Sequence, residues 1–489
     1  MSLKLSKLLE KIDCAPLTSE TADLEIKDVC SDSRKAGKGC LFVCVKGLSS
    51  DGHEYAKSAQ DAGAAAIVAE HKTQSTLPHI IVKDSRAALP LILAALFGHP
   101  EKSLKLIGVT GTNGKTSTTC FIKDILDSLG AKTGLIGTIK NMIGNKELKS
   151  SLTTPEPYEL FEYLAKMKSE GMEYVIMEVS SHSLAQKRVY GLEFEVGVFT
   201  NLTQDHLDFH GSMENYRAAK AELFEMSKTC IFNIDDETGA MFYNQCLKNK
   251  LSYSTIYDSA DFVAKDIRAT ADGVEFIALK VGEIGRVSFK TPGMFTVYNA
   301  LAAIAAVSAL GYEFSDICRT SKRVGSVPGR AQVIDCGMPF TVMLDYAHTP
   351  DGLRGILSAI SSIAKGRLVT LFGCGGDRDK SKRPIMAQMA AKYSDFLIVT
   401  SDNPRTEDPL KIIDDILKGL KGQKTPYVVI PNRREAIFYA LKNAKPDDII
   451  LLAGKGHEKY QILGTKKVDF DEQQIVHDCL LELKKEEGK

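Results

Sequence analysis

LKLIGVTGTNGKT, residues 104–116, runs from β-branched and apolar residues straight into a glycine-rich turn. LKLIGVT (104–110) reads as a buried strand, and the next stretch places Phe121, Ile122, Ile125, Leu126 and Leu129 on one helical face, with Gly130 as a C-cap. A strand, a glycine turn carrying a lysine and a helix form a phosphate loop: backbone N–H groups and the helix N-terminus converge on anionic oxygens. The strict spacing GxxxxGK[ST] is not met, because Val109 stands where its first glycine belongs. The flanking strand and helix still favour ATP over an incidental glycine turn. Gly111, Thr112, Asn113, Gly114, Lys115, Thr116 and Ser117 are the expected nucleotide contacts, with Lys115 neutralising β/γ-phosphate charge and the Thr116 hydroxyl holding Mg²⁺.

Working outward, Leu160, Phe161, Leu164 and Met167 mark a second helix, ending before Gly171, and EYVIMEV (173–179) and FEVGVFT (194–200) return as strands. This alternation predicts a mostly parallel, helix-covered sheet. After PGR (328–330) it restarts: FTVMLDY, RLVTLFG, DFLIVT, YVVI and DIILLAG read as strands of a separate α/β domain. The first hundred residues form a smaller α/β unit ending near HPEK (99–102). The expectation is an α/β protein of three domains, 1–100, 101–330 and 331–489, the central one phosphate-loop ATPase-like. Gly111–Thr116, Glu178, Asn201, Asp345, Gly373–Arg378, Asp402–Arg405 and Gly454–Glu458 all fall at strand ends, where parallel sheets bind ligands.

Composition narrows the class. Of 489 residues, 44% are apolar and 25% charged, and Lys plus Arg equals Asp plus Glu at 62 each. A formal net charge of zero lacks the footprint of a general nucleic-acid binder. No apolar run approaches the roughly 20 residues that span a bilayer, and the amphipathic opening MSLKLSKLLEKID lacks a secretory core. Eleven cysteines, none in a CxxC pair, read as reduced thiols of a cytoplasmic protein.

Several polar segments are ambiguous by themselves. Glu178, at the end of its strand, suits a Mg²⁺ ligand beside Thr116 or a solvated strand end. Asp205, His206, Asp208 and His210 crowd into DHLDFH, which a zinc or iron site or a polar loop would each explain. Ser180, Ser181 and His182 invite a serine-hydrolase reading, but no G-x-S-x-G elbow frames them. Lys220, in YRAAKAELF, reads as a surface lysine.

Taken together, GTNGKT (111–116), MEVSSHSL (177–184), TNLTQDHLDFHG (200–211), YRAAK (216–220), YNALAA (298–303), PGR (328–330), DYAHTPDGL (345–353) and GCGGDRDKSKRP (373–384) resemble the Mur ligase family, in order and over nearly the whole chain. DNPR (402–405) and AGKGHE (453–458) resemble its diaminopimelate-adding members. The resemblance implies an ATP- and Mg²⁺-dependent amide ligase of peptidoglycan synthesis. It would join meso-diaminopimelate to UDP-N-acetylmuramoyl-L-alanyl-D-glutamate through an acyl phosphate, acting as a cytoplasmic monomer on small molecules alone. It also implies that Lys220 is carbamylated and, with Thr116, Glu178 and His206, ligates Mg²⁺, making Lys115, Lys220 and His206 the catalytic set. Asn299, Arg330, Asp345 and His348 match its ATP contacts. Ser31, Ser33, Leu48, Ser49 and Ser50 match contacts to the uracil and diphosphate, and Thr153, Thr154, Ser180, Gln186 and Arg188 contacts to the muramoyl dipeptide. Arg378, Asp402, Asn403, Pro404, Arg405, Gly454 and Glu458 match contacts to the incoming amino acid.

The chemistry agrees with those residue types. A carboxylate has no good leaving group until it is phosphorylated, and bringing it to a triphosphate requires cations. The attacking amine, with a pKa of about 10, must lose a proton; Asp205 and His206 are both near, and the sequence does not choose between them. Arg405 can hold the distal carboxylate of diaminopimelate in a bidentate fork, which L-lysine lacks. The competing readings are the same ligase using L-lysine, a folylpolyglutamate synthetase-like ligase without the N-terminal domain and DNPR, and a nucleotide-switch protein without the C-terminal loops.

Overall fold

A computed structural model describes residues 2–47, 50–148, 150 and 152–487. Three sheets organise them. Residues 28–81 form a parallel four-stranded sheet, Asp28–Cys30, Cys40–Val43, Ala66–Ala69 and His79–Ile81, in chain order. The amphipathic opening is broken into a short strand, Leu3–Lys4, and a single helical turn, Leu5–Leu8.

The central sheet has eleven strands. Lys105–Thr110 lies between Tyr174–Glu178 and Phe194–Phe199, parallel to both. The chain winds to one side through Thr133–Ile136, then crosses to the other through Phe194–Phe199 and Ser227–Asn233. The carboxyl end of Lys105–Thr110 is therefore the switch point, where the diverging connections open a crevice. Two features were not legible in the sequence. A short antiparallel ribbon, Asn141–Ile143 and Lys146–Leu148, closes one edge. At the far end a meander of Phe262–Thr270, Gly273–Lys280 and Glu283–Phe289 extends the sheet antiparallel.

Helices cover both faces. Lys115–Ser128 packs beside Met294–Ala309, in which every residue from Ala300 to Val307 is buried. That helix reads as apolar all round because it is enclosed all round, and its alanines admit the close approach. On the opposite face Leu160, Phe161 and Leu164 join Leu106, Val175 and Met177 in one core with Leu89, Ile92 and Leu93 of the Ser85–Leu96 helix. The N-terminal sheet is thus docked on the central one through a continuous apolar layer.

The C-terminal sheet runs Gln332–Ile334, Thr341–Asp345, Ile449–Ala453, Leu368–Phe372, Phe396–Val399, Tyr427–Val429, all parallel after the first pair. Its Rossmann-like order brings Asp345, Gly373, Asp402 and Gly454 to one end. A hairpin, Tyr460–Leu463 with Lys466–Asp469, lies against that end and pairs with Arg405.

Beneath these loops Arg433, fully buried, donates to Glu472 Oε1 at 2.7 Å and to the Ala453 carbonyl at 2.9 Å. A buried cation is tolerated only while its partner stays. Glu472→Ala is expected to destabilise the C-terminal domain by roughly 3–5 kcal/mol, the usual cost of stranding a buried charge. Urea unfolding followed through that domain measures it.

Candidate active site

The phosphate loop is shaped by what two glycines leave open. Gly111 and Gly114 have φ of 148° and 86°, and a Cβ at Gly114 would lie 2.4 Å from Asn299 Oδ1. Thr200 Oγ1 donates to the Asn113 carbonyl at 2.6 Å, and the Asn113 amide donates to Asn201 Oδ1 at 2.9 Å. Thr112 Oγ1 lies 3.1 Å from Tyr216 OH and accepts from the Thr203 amide at 3.0 Å. The loop is held from the neighbouring strand end and from the Met213–Glu225 helix before any ligand arrives.

Two cations meet inside it. Lys115 Nζ donates to the carbonyls of Gly111 and Thr112 at 2.8 and 2.9 Å, and Lys220 Nζ donates to the same Gly111 carbonyl at 2.8 Å. Lys220 is 1% exposed, so the surface-lysine reading is wrong: its helix turns this residue inward, over the Tyr216 ring at 4.5 Å. Burial, reinforced by the Lys115 charge, pushes its amine well below the ordinary lysine range.

Glu178 is buried and hydrogen-bonded, so the solvated strand end is also excluded. Its carboxylate accepts from Thr116 Oγ1 at 3.0 Å and from the Thr138 hydroxyl and amide at 2.9 and 2.8 Å. Arg330 Nη2 reaches Thr116 Oγ1 at 3.3 Å. Thr138 was missed in the sequence because it follows a short strand in a stretch without a motif. Thr154 Oγ1 donates to the Glu178 carbonyl at 2.8 Å, Thr153 lies 3.0 Å from the Thr138 hydroxyl, and Ser180 caps the Ser181–Ala185 helix. Arg188 donates to the Thr154 carbonyl at 2.9 Å and to Gln186 Oε1 at 2.7 Å. These substrate candidates therefore connect to the phosphate loop through Glu178 and Thr138.

His206, in left-handed conformation at φ 53°, lies 3.6 Å from Asp205 and edge-on to His182, ring centroids 4.8 Å apart. Burial pushes His206 down against the opposing pull of Asp205, and burial beside His206 and His210 pushes His182 down to about 4. Ser181 bonds not to His182 but to His210, at 2.9 Å, and both are buried, while Ser180 is engaged as a helix cap, so no serine pairs with His182 as a hydrolase would need. Among the described residues no three His, Cys, Asp or Glu side chains form a metal-holding group, so Asp205, His206, Asp208 and His210 do not make the zinc or iron site their crowding allows.

From Arg330 the path leads into the C-terminal domain. Its guanidinium sits 5.0 Å over the Tyr346 ring, which lies 5.0 Å from the His457 ring, and Gly329 abuts the 456–457 backbone. Asp345 accepts from the amides of Ala331 and Ala347, and burial raises its carboxyl against the pull of Arg330. His348 is exposed, anchored to the Tyr346 carbonyl. Beyond it Asn403 Nδ2 donates to Glu458 Oε2 at 2.9 Å, and fully buried Lys455 donates to Asn403 Oδ1 at 3.0 Å, with Asp402 and Glu458 3.7 and 3.6 Å away. Pro404 is buried beside them, and a Cβ at Gly454 would lie 2.6 Å from Asp402 Oδ2. Arg405, at φ 52°, ties Nη1 to the Gly376 carbonyl at 2.7 Å, while Arg378 is exposed nearby. Lys455 was quoted in the sequence only as part of AGKGHE; no pattern marked it as buried.

The N-terminal candidates stand apart from these contacts. Ser31 and Ser50 are exposed, Ser33 opens a 3₁₀ turn, and Leu48 and Ser49 lie outside the described residues.

Family models match three consecutive parts of the chain: "Mur ligase family, catalytic domain" at 25–97, "Mur ligase middle domain" at 109–307 and "Mur ligase, glutamate ligase domain" at 329–456. The UDP-N-acetylmuramoyl-L-alanyl-D-glutamate--2,6-diaminopimelate ligase of Caldanaerobacter subterraneus subsp. tengcongensis is 47% identical, over 95% of this chain and 96% of that one. The chain belongs to the Mur ligase family. A second relative under the same name, from Clostridium acetobutylicum, is 45% identical over 98% of this Mur ligase and 100% of its own length. A solved structure of a UDP-N-acetylmuramoyl-L-alanyl-D-glutamate--2,6-diaminopimelate ligase superposes with a TM-score of 0.74 at 29% identity, covering 99% of this chain and 100% of that one.

The tightness of the loop makes it testable. Gly114→Ala, which drives a methyl toward Asn299 at a positive φ, is expected to lower kcat/KM for ATP by roughly 100-fold, the scale of a lost positioning contact. Circular dichroism should be unchanged; steady-state kinetics at varied ATP reads the loss.

Proposed function

We propose that this Mur ligase joins meso-diaminopimelate to UDP-N-acetylmuramoyl-L-alanyl-D-glutamate at the expense of ATP, forming an acyl phosphate and then an amide. The observation that carries the reading is the run of contacts from the phosphate loop through Arg330 and Tyr346 to His457, whose chain neighbour Glu458 bonds Asn403 in the loop that also carries Arg405. A nucleotide switch has no use for the second half of that line. A folylpolyglutamate-type ligase has no use for the parallel sheet of residues 28–81 or for Arg405.

The groups fit the proposed ligands. The Thr116 and Glu178 oxygens, 3.0 Å apart, are a hard donor pair that suits Mg²⁺. His206 and a carbamylated Lys220 would complete the ligand set, and the ion would offset the charge of the triphosphate beside the acceptor carboxylate. A carbamate can form only from a neutral amine, and burial, by pushing Lys220 well below the ordinary lysine range, favours that form. Lys115 sits where it can exchange two carbonyl partners for phosphate oxygens. Gly111–Ser117 would cradle the phosphates, with Asn299, Arg330, Asp345 and His348 around the nucleotide. Arg188, Gln186, Ser180, Thr153 and Thr154 line the approach of the acceptor peptide, whose nucleotide end would extend to Ser31, Ser33 and residues 48–50.

On the amine side, Glu458 and Asp402 offer negative charge to an ammonium, and Arg405 and Arg378 offer positive charge to the distal carboxylate. That division favours diaminopimelate over L-lysine. Asp205 is the candidate to take the amine's proton, because His206 is already assigned to the Mg²⁺ ligand set.

We set the domain boundaries near residues 100 and 330, each between one sheet and the next, and we infer a monomer. Among the described residues no helix is long and apolar enough to cross a membrane. The eleven free cysteines support a cytoplasmic setting.

Phosphate release should require both the nucleotide-sugar dipeptide and meso-diaminopimelate, with L-lysine giving little turnover. Equal rates with the two amines would overturn the specificity. Lys115→Ala is expected to lower kcat by about 100-fold or more with the fold intact, and activity near that of the unaltered protein would remove the phosphate loop from catalysis. For Lys220, ¹³C-bicarbonate should give a carbamate signal that Lys220→Ala abolishes. Depleting carbon dioxide should lower the rate of the unaltered protein.

A further inference from the structure

Arg383 is, with Arg433, one of the two largest fully buried side chains among the described residues, and the amine-binding reading assigns it nothing. It leaves the Lys382–Tyr393 helix and donates to both carboxylate oxygens of Glu407, at 3.1 and 2.9 Å, to Asp415 Oδ2 at 2.9 Å and to the Gly375 carbonyl at 3.3 Å. Glu407 accepts in turn from the Asp377 amide at 2.6 Å. Asp377, left-handed at φ 53°, accepts from the Thr406 amide and hydroxyl at 3.2 and 2.8 Å. The Gly376 amide donates to the Asn403 carbonyl at 2.9 Å, and the Gly376 carbonyl takes Arg405 Nη1. Two loops, 375–378 and 402–407, are thereby fastened together, and the fastening decides where Arg405 points.

A guanidinium with one arm tied can offer only its remaining edge to a carboxylate, so its aim is set by the loop that holds the tied arm. A purely architectural arginine would be satisfied by Asp415, which lies on the Pro409–Lys418 helix outside both loops. The bidentate pair with Glu407 instead joins the two loops that carry Arg378 and Arg405.

We propose that Arg383 is a positioning residue for amine selection, holding through Glu407 the two loops in the register that aims Arg405 at the distal carboxylate. This rests on the reading of Arg405 as the carboxylate-binding residue.

The test compares Arg405→Asn, Arg383→Met, Glu407→Gln and Asp415→Asn in the full-length protein, with KM for meso-diaminopimelate and for ATP, the rate with L-lysine, and the melting temperature measured for each. Glu407→Gln and Arg383→Met should each raise KM for meso-diaminopimelate by roughly tenfold or more while leaving KM for ATP in place, and should narrow its advantage over L-lysine. Asp415→Asn should lower the melting temperature and leave both constants as they are. If Arg383→Met does not fold, Glu407→Gln and Asp415→Asn alone decide. Wild-type KM in Glu407→Gln, or an equal rise in Asp415→Asn, overturns the positioning role while Arg405→Asn still raises KM. An unaltered KM in Arg405→Asn removes the carboxylate reading itself, and this inference with it.

Discussion

One carbonyl oxygen, that of Gly111, accepts from two ammonium groups, Lys115 and Lys220, which arrive from different helices. Like charges so close repel, and burial raises the cost, so the pair is comfortable only when one amine is neutral or when anions are near. That tension orders the rest of the site. It depresses Lys220, prepares Lys115 to leave its backbone partners for phosphate, and makes the crevice above the Lys105–Thr110 strand a place where negative charge is stabilised. The Glu178 carboxylate, Thr116 and Thr138 supply the counterweight on the opposite wall.

Much of the parallel architecture was readable because fully buried strands are continuous apolar runs. LKLIGVT, EYVIMEV and RLVTLFG each became strands within a residue or so of their expected limits. The antiparallel meander of residues 262–289 was not readable. Its strands are half-exposed, and one carries Lys265, Asp266 and Arg268 in succession with a register shift at that point. The amphipathic opening carried no element assignment, and it resolves into a strand, Leu3–Lys4, paired with Glu25–Ile26, followed by one helical turn.

In the site, residues sitting in glycine-rich or motif-like strings could be nominated from those strings, and residues whose importance lies in burial could not be without the family resemblance. Lys220 has no local signature, because a lysine on an amphipathic helix looks the same whether it faces water or a carbonyl. Lys455 and Arg383 are alike in this: their partners, Asn403 and Glu407, stand 52 and 24 residues away in sequence, a separation that no periodicity reports. Thr138 owes its place to the tight approach of Gly137 to Glu178, a matter of three dimensions only.

The way the three domains touch has a mechanical consequence. The N-terminal and central domains share apolar core residues, Ile92 and Leu93 against Leu106 and Val175, and parting them would open hydrocarbon to water. The central and C-terminal domains meet at the site through Arg330, Tyr346, Gly329 and His457, a polar and aromatic seam, with partly buried Ala271 and Phe295 packed beside it against the C-terminal core. On the proposed function the acceptor and the nucleotide would sit on the pair of domains joined by shared hydrocarbon, and the more polar joint would be the one that carries the amine toward them.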